Sequence, residues 1–141
     1  MNGSSIHLPA GVTLVGKSRI VLGSRIRNYA PDHKTLVGNG WGSTRPAMIS
    51  NGGDPAGVVV HIRWADWGGR RAVGYGLTSI FAPKGGYYPG RVSIKLRAYN
   101  PGLCTPQGPL AYRDLEFRVP SKPGAALRPW EPLTTTGNVC H

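Results

Sequence analysis

Acidic residues, cysteines and long apolar runs are all scarce in this sequence of 141 residues. No run of about 18 apolar residues occurs, which excludes a transmembrane helix. Residues 1–5 have neither the basic region nor the apolar stretch of a signal peptide, so an exported protein is expected to appear here as a mature or trimmed form with an added methionine. The 2 cysteines form no C-x-x-C pattern, which argues against a zinc site and against a redox pair.

Motifs for covalent catalysis and phosphate binding are also missing. There is no G-x-S-x-G nucleophile elbow, no Gly-Lys-Ser/Thr phosphate loop and no RNA-binding signature of alternating aromatics. His61, Asp66 and Asp114 are the candidates for a hydrolase acting on a cell-envelope polymer. Arginines surround Asp114 in the sequence and favour its ionised form over a protonated acid. The sequence therefore predicts no cofactor and no metal site, and it offers an enzymatic role little support.

Negative charge is outweighed by positive charge. The chain has 17 Lys and Arg against 6 Asp and Glu, which gives a net charge of +11. Such an excess favours acidic partners, namely nucleic acid, anionic cell-wall polymers or anionic lipid heads. The basic residues are dispersed, without a block of five like charges, so a purely solubilising role is the alternative.

Glycine and proline are abundant, at 21 and 13 residues, which leaves little room for helices. An interior helical Gly costs about 1 kcal/mol and an interior Pro about 3. Alternating apolar and polar positions instead predict strands over four segments: 58–64, 73–81, 91–99 and 111–119. We expect one mostly β domain over residues 1–141, an antiparallel β-sandwich or small barrel with long Gly/Pro-rich loops. Residues 1–11 are expected to be flexible, and 120–141 to form an extended tail.

The segment from 58 to 80 predicts a β-hairpin around which the rest of the chain is organised. One run is apolar at every second position: Val58, Val60, Ile62 and Trp64. This period is typical of a strand with one buried face, and it places His61 on the opposite face. Gly68 and Gly69 offer the positive φ angles of a tight reversal. We therefore expect a buried Trp64, and a Trp67 at the hairpin end.

Two further alternating runs predict strands with one apolar and one polar side. The apolar sides are Val92, Ile94, Leu96 and Ala98, and then Leu115, Phe117 and Val119. The polar sides are Arg91, Ser93, Lys95, Arg97 and Tyr99, and then Tyr112, Asp114, Glu116 and Arg118. If the two strands are neighbours, Asp114 and Glu116 offset Lys95 or Arg97 by about 0.2–1 kcal/mol per pair. Asn100-Pro101-Gly102 predicts a turn into Cys104.

The regions before the hairpin carry weaker signals. The apolar residues within 12–15 predict a short strand, and residues 17–26 combine apolar and basic side chains, which suits an edge strand. Residues 28–57 are rich in turn-forming Gly, Pro and Asn and predict a long irregular excursion, anchored to the core by Met48 and Ile49.

The two cysteines, Cys104 and Cys140, predict a disulfide. A metal site needs more ligands and a redox pair a shorter spacing, so a structural bridge is the better interpretation. It would tie down a tail whose one large apolar residue is Trp130. A disulfide also implies an oxidising compartment.

Aromatic and basic residues near the turns are the candidate binding residues. They are Trp67, Tyr87, Tyr88, Arg63, Arg70 and Arg71. Aromatic faces flanked by guanidinium groups suit sugar rings, bases or anionic polymers. The alternative for Trp67 is that it caps the end of the sheet.

Several short patterns resemble small uncharacterised exported proteins of actinobacteria, over about residues 38–141. They are Trp64-Ala-Asp-Trp67-Gly68, Gly74 and Gly76, Gly86-Tyr87-Tyr88, Cys104, Tyr112, Arg118-Val-Pro120, Trp130 and Gly137-Asn-Val-Cys140. The resemblance implies secretion and a paired cysteine tail, and it carries over no catalytic or binding residue.

The first hypothesis is thus a secreted or cell-surface domain that binds an anionic or glycan partner of the cell envelope without catalysis. A cell-envelope hydrolase and a sequence-nonspecific nucleic-acid-binding protein are the alternatives.

Overall fold

The computed structural model describes residues 19–23, 40–50, 55–133 and 137–140. Seven strands make one curled sheet that forms a half-barrel, which confirms the mostly β prediction. The strands are β1 (Val21–Leu22), β2 (Ile49–Ser50), β3 (Val58–Trp64), β4 (Arg71–Thr78), β5 (Val92–Leu103), β6 (Leu110–Arg118) and β7 (Glu131–Pro132). Their order is β1-β6-β5-β4-β3-β2, and β7 also pairs with β6. The predicted strand at 12–15 and flexible residues 1–11 lie outside the described residues.

Strands β3 to β6 form an antiparallel meander at the centre of the sheet. On β5 the predicted apolar side is confirmed, since Val92, Ile94, Leu96 and Ala98 are all buried. The neighbouring strand β4 turns only small side chains inward in its first half, with Ala72 and Gly74 buried. The six-membered ring of Trp64 lies over Gly74, where a Cβ would come within 2.8 Å of it.

The inward side of β3 differs from the prediction because the strand contains a bulge. The register with β4 shifts by one residue between Val60 and Arg63, and His61 has a φ of 53°. The extra residue changes the alternation, so Val59 and Ile62 are buried, although they lie three positions apart. The prediction that Val58 and Val60 share the buried face is therefore wrong. His61 is exposed, as predicted.

The segment 40–50 runs beside the outer edge of β3, and its Trp41 side chain is buried in the core. Trp41 Nε1 donates to the Ser50 carbonyl at 2.9 Å, and Trp64 Nε1 donates to the Pro46 carbonyl at 2.8 Å. Of the two predicted anchors, Ile49 is buried whereas Met48 is 39% exposed. Trp64 is accordingly half-buried, against this segment, and not fully enclosed.

Strand β5 does not end at Asn100-Pro101-Gly102, so the predicted turn is wrong. Pairing with β6 continues to Leu103, because Asn100 adopts a left-handed conformation, with a φ of 61°, that does not reverse the chain. Opposite Asn100, the alternation of inward and outward side chains on β6 is interrupted. As a result, Tyr112 and Leu115 are both fully buried. The prediction that Tyr112 faces outward is wrong for this reason.

The outer edge of β6 is paired with three separate pieces of chain. β1 pairs in parallel with its first half, which confirms an edge strand within 17–26, and β7 pairs with its second half. Between them Val139 N donates to the Arg113 carbonyl at 2.7 Å. The predicted Cys104–Cys140 disulfide is confirmed, with its Cα atoms 5.1 Å apart. The tail is therefore both cross-linked and packed, since Val139 is fully buried.

Candidate functional site

The outward side of the sheet carries cations and aromatic rings in register. Side chains directly opposite each other on neighbouring strands share a face. Tyr75 stands between Arg63 on β3 and Lys95 on β5, and Lys95 also faces Arg118 on β6. One row therefore crosses four strands with three cations and one aromatic ring. We call the whole outward surface the basic face: Arg63, Arg70, Arg71, Tyr75, Lys95, Arg97, Tyr99, Arg113, Arg118 and Trp130.

Trp130 is the point on which the cations of the basic face converge. The tail folds its ring onto the sheet, where Arg97 Cζ lies 4.3 Å from the ring centroid. Lys95 Nζ and Arg118 Cζ each lie 5.7 Å from the same centroid. A single carboxylate, that of Glu116, pairs with Arg97. The ring thus holds three like charges close together through cation–π contacts, each stabilising by about 0.5–1 kcal/mol when exposed.

An open cleft of about 920 Å³ lies at one end of the basic face, and we call it the arginine cleft. Its lining is Arg70, Arg71, Arg97, Tyr99, Asn100, Pro101, Arg113 and Glu116. Arg97 forms an ion pair with Glu116. In contrast, Arg70, Arg71 and Arg113 have no acidic partner within the described residues. The cleft is therefore a concentration of positive charge that is only partly neutralised.

A second, smaller groove of about 500 Å³ lies at the other end of the same face. Its lining includes His61, Arg63, Tyr75, Lys95 and Leu127. Tyr75 is 48% exposed, and Lys95 Nζ stands 5.7 Å from its ring centroid. Lys95 and Tyr99 are four residues apart on β5, so the two depressions lie roughly 13 Å apart along the strand.

Trp67 does not belong to this face, which corrects the prediction of an exposed ring at the hairpin end. It is only 8% exposed, and its Nε1 donates to the Ile20 carbonyl at 2.7 Å. Trp64 and Tyr112 contact it edge-on, with ring centroids at 4.7 and 5.1 Å. A ring enclosed in this way has no free face for a ligand, because the segment carrying Ile20 closes over the hairpin end.

The Tyr112 hydroxyl ties the same hairpin loop to β6. It donates to the Gly69 carbonyl at 2.7 Å and accepts from the Gly68 amide at 2.8 Å. Burial raises the pKa of Tyr112 to about 12, an effect that the Gly68 hydrogen bond only partly opposes. The phenol therefore stays protonated at physiological pH, where its role is to hold the loop through hydrogen bonds.

The other predicted binding residues fall into four separate places. Arg70 and Arg71 line the arginine cleft, and Arg63 lines the smaller groove. Tyr87 stacks on Phe81, with ring centroids 4.8 Å apart, in the loop after β4. Tyr88 packs against the core. The structure thus brings the predicted arginines to one face but separates both tyrosines from them.

Sequence reasoning missed the residues that complete the basic face, above all Trp130, Tyr75 and Arg113. The outward positions Lys95, Arg97 and Tyr99 were predicted correctly, and their cross-strand neighbours follow once the register is known. Trp130 carried no such signal, because its position depends on how the tail folds back.

The candidate hydrolase residues do not form one site. His61 on β3 and Asp114 on β6 are separated by β4 and β5, three strand spacings or about 14 Å. Asp66 accepts from the Val73 amide, and Asp114 from Asn100 Nδ2, at 2.9 and 2.8 Å. Among the described residues, no three His, Cys, Asp or Glu side chains come close enough together to hold a metal ion. His61 and Asp114 therefore do not meet in one catalytic site.

Comparison with known proteins leaves the geometry as the main guide to function. No protein-family model, curated protein or solved structure matches the chain. Over the described ranges, no helix has the length and apolar character to cross a membrane.

Proposed function

We propose that this protein is a secreted or cell-surface domain that binds an anionic polymer of the cell envelope through the basic face, without catalysis. The observation that carries the proposal is the gathering of cations from β3 to β6 on one side of the sheet. Among the described residues, Glu116 is the only acid that lines the arginine cleft, and Arg97 already pairs with it. An unneutralised surface of this kind attracts polyanions and releases their counterions on binding.

The disulfide supports the extracellular part of the proposal. Disulfides persist in oxidising compartments and are rare in the reducing cytosol. The Cys104–Cys140 bridge holds a buried end of the tail and is therefore a structural bridge. As part of the same proposal, the protein is a member of the group of exported actinobacterial proteins that its sequence resembles.

The aromatic residues favour an anionic polymer over a neutral glycan. Neutral sugars need free ring faces on which to stack, but Arg97 lies over the rings of both Trp130 and Tyr99. These rings position guanidinium groups, whose remaining N–H donors suit carboxylate, sulfate or phosphate. The ligand is thus recognised chiefly through its charges.

The same argument favours an acidic glycan over single-stranded nucleic acid. Nucleic-acid platforms stack successive bases on aromatic rings. On the basic face Tyr75 is the one aromatic side chain more than a third exposed among the described residues. One such ring supplies a poor platform for consecutive bases.

The test compares two double variants with the same change in net charge. Arg70→Glu/Arg71→Glu reverses two charges in the arginine cleft, and Lys84→Glu/Lys122→Glu reverses two exposed charges outside it. Binding to heparin, used as a model acidic polysaccharide, is measured by calorimetry from about 50 to 200 mM salt, where polyanion affinity falls steeply.

We expect the cleft variant to lose at least about tenfold in affinity and the control variant much less, because close contacts contribute more than net charge. An equal loss in both variants would reduce the effect to overall charge. Undetectable binding at low salt would remove the proposed function.

A further inference from the structure

We infer that Arg113 is the specificity-determining residue of the arginine cleft, and that the cleft takes the tetrahedral oxyanion of a sulfate or phosphate ester. This inference rests on the proposed function for the polymer that carries the ester. The oxyanion site itself is testable with inorganic ions alone.

Arg113 is positioned by neutral oxygens, so its charge remains available. Its Nε donates to the Asn100 carbonyl at 3.1 Å, and its Nη2 donates to Asn100 Oδ1 at 3.0 Å. Asn100 is oriented in turn, because its Nδ2 donates to Asp114 Oδ2 at 2.8 Å. A carboxylate in place of Asn100 would neutralise the guanidinium. The amide instead fixes its orientation and leaves a full positive charge at the cleft.

The backbone around Asn100 is shaped for this guanidinium. Asn100 has a φ of 61°, a conformation that Asn tolerates better than most residues. Two positions on, a Cβ at Gly102 would come within 2.6 Å of Arg113 Nε and would displace it. The Asn-Pro-Gly sequence resembles a turn, yet β5 continues straight through it. The motif therefore accommodates the arginine and does not reverse the chain.

The number and arrangement of arginines favour a tetrahedral anion over a carboxylate. Arg113 projects from β6, while Arg70 and Arg71 enter the same cleft from the start of β4, on the far side of β5. A carboxylate offers two oxygens in one plane, which one or two guanidinium groups satisfy. A sulfate ester or a phosphate monoester has three terminal oxygens that point in different directions, and so can accept from arginines on both sides of the cleft.

The first experiment measures the melting temperature in sodium sulfate, phosphate and acetate at equal ionic strength. We expect sulfate or phosphate to stabilise the protein more than acetate does, and Arg113→Gln to lose most of that difference. Arg91→Gln is the matched control, since Arg91 is exposed and outside the cleft lining. Because sulfate also stabilises proteins nonspecifically, the difference between these variants is the relevant quantity.

The second experiment tests Asn100 as a positioning residue. Asn100→Gly keeps the left-handed backbone accessible and removes only the side-chain acceptor and donor. We expect Asn100→Gly to weaken sulfate binding less than Arg113→Gln does. We expect Arg113→Lys to keep general heparin binding but to lose the preference for sulfate over acetate. A merely structural role for Asn100 would lower the melting temperature and leave that preference unchanged.

The polymer arm uses heparin, chemically desulfated heparin that keeps its carboxylates, and a dextran that carries phosphate monoesters. Sulfated or phosphorylated polymer should bind about 10- to 100-fold more tightly than the carboxylate polymer, and Arg113→Gln should abolish the difference. The better of the two ester-bearing polymers identifies the source of the oxyanion.

If all polymers bind equally and Arg113→Gln behaves like Arg91→Gln, the oxyanion site is wrong and the proposed function stands. If inorganic sulfate binds through Arg113 and no polymer binds, the site stands and the proposed function is wrong.

Discussion

The two sides of strands β4 to β6 are made by alternate residues of the same segments, yet their chemistry is opposite. The inward side is closed by small and aliphatic residues such as Ala72, Leu96 and Leu115, all fully buried. The outward side carries arginine, lysine and aromatic rings with few carboxylates. Burial of apolar surface stabilises the first side, whereas the second retains charge that folding does not use. Inward substitutions should therefore cost stability, and outward substitutions should cost binding.

Two tryptophans test this division most strongly. Trp67→Ala should destabilise the protein by roughly 3–5 kcal/mol, because it empties a core position and removes one of the two donors to the Ile20 carbonyl, the other being Thr44 Oγ1. Trp130→Ala removes a half-buried ring and its cation contacts, so we expect a loss nearer 1 kcal/mol together with weaker heparin binding. Urea unfolding gives both values. Equal losses in the free energy of unfolding would indicate that Trp130 is a core residue. They would weaken the distinction between the inward and outward sides of the sheet.

The disulfide tests whether the end of the tail belongs to the inward side. Cys104→Ser/Cys140→Ser should reduce the free energy of unfolding by roughly 2–4 kcal/mol, since the bridge closes a long loop in the unfolded chain. Intact mass before and after reduction should differ by the two hydrogens of one bridge. Free thiols in protein purified without reductant would remove the argument for an oxidising compartment.

Tyr112 gives the stability of the inward side a dependence on pH. Its pKa is about 12 in the folded protein and 10.0 ordinarily, so above pH 10 the unfolded chain releases a proton that the folded protein retains. The stability that this group contributes is complete below pH 10. It should be lost between pH 10 and 12, by roughly 2–3 kcal/mol. Urea unfolding at several pH values measures this, and Tyr112→Phe should show a shallower decline. Parallel declines in the two proteins would contradict the assignment.

The smallest expected effect on stability is at Glu116. Glu116→Gln breaks its partly buried ion pair with Arg97, for which we expect a loss under about 1 kcal/mol. It also frees one guanidinium charge in the arginine cleft, so heparin affinity should rise severalfold. Glu131→Gln, which breaks the exposed pair with Arg128 at the sheet edge, is the control and should change affinity less. Weaker heparin binding by Glu116→Gln would mean that Glu116 orients Arg97 for the ligand.

The inward side of β5 was predictable from the sequence, because its alternation is regular and local alternation alone decides which of its residues point inward. The predictions failed where a single residue adopts a left-handed conformation. At His61 the alternation of inward and outward residues on β3 changes. Asn100 lies opposite the point on β6 where the same change buries Tyr112. Neither His61 nor Asn100 is a glycine, so the sequence gives no strong signal of a positive φ at either position.

The candidate site was predictable only in part, for a reason of distance along the chain. Lys95, Arg97 and Tyr99 follow from local alternation. Their meeting with Trp130 depends on a tail that returns to the sheet, and the burial of Trp67 depends on Ile20, 47 residues away. Contacts of this separation leave no local period in a sequence.

One measurement tests the proposed basic face most directly, because the four tryptophans report on both sides at once. The indole N–H groups of Trp41, Trp64 and Trp67 each donate to a backbone carbonyl away from the basic face. Trp130 lies on that face beneath Arg97. In a two-dimensional nitrogen–proton NMR titration with a heparin hexasaccharide, the Trp130 indole signal should move in proportion to binding while the other three stay nearly fixed. Saturable binding that leaves Trp130 unmoved, or that moves Trp67 most, would contradict the assignment of the binding face.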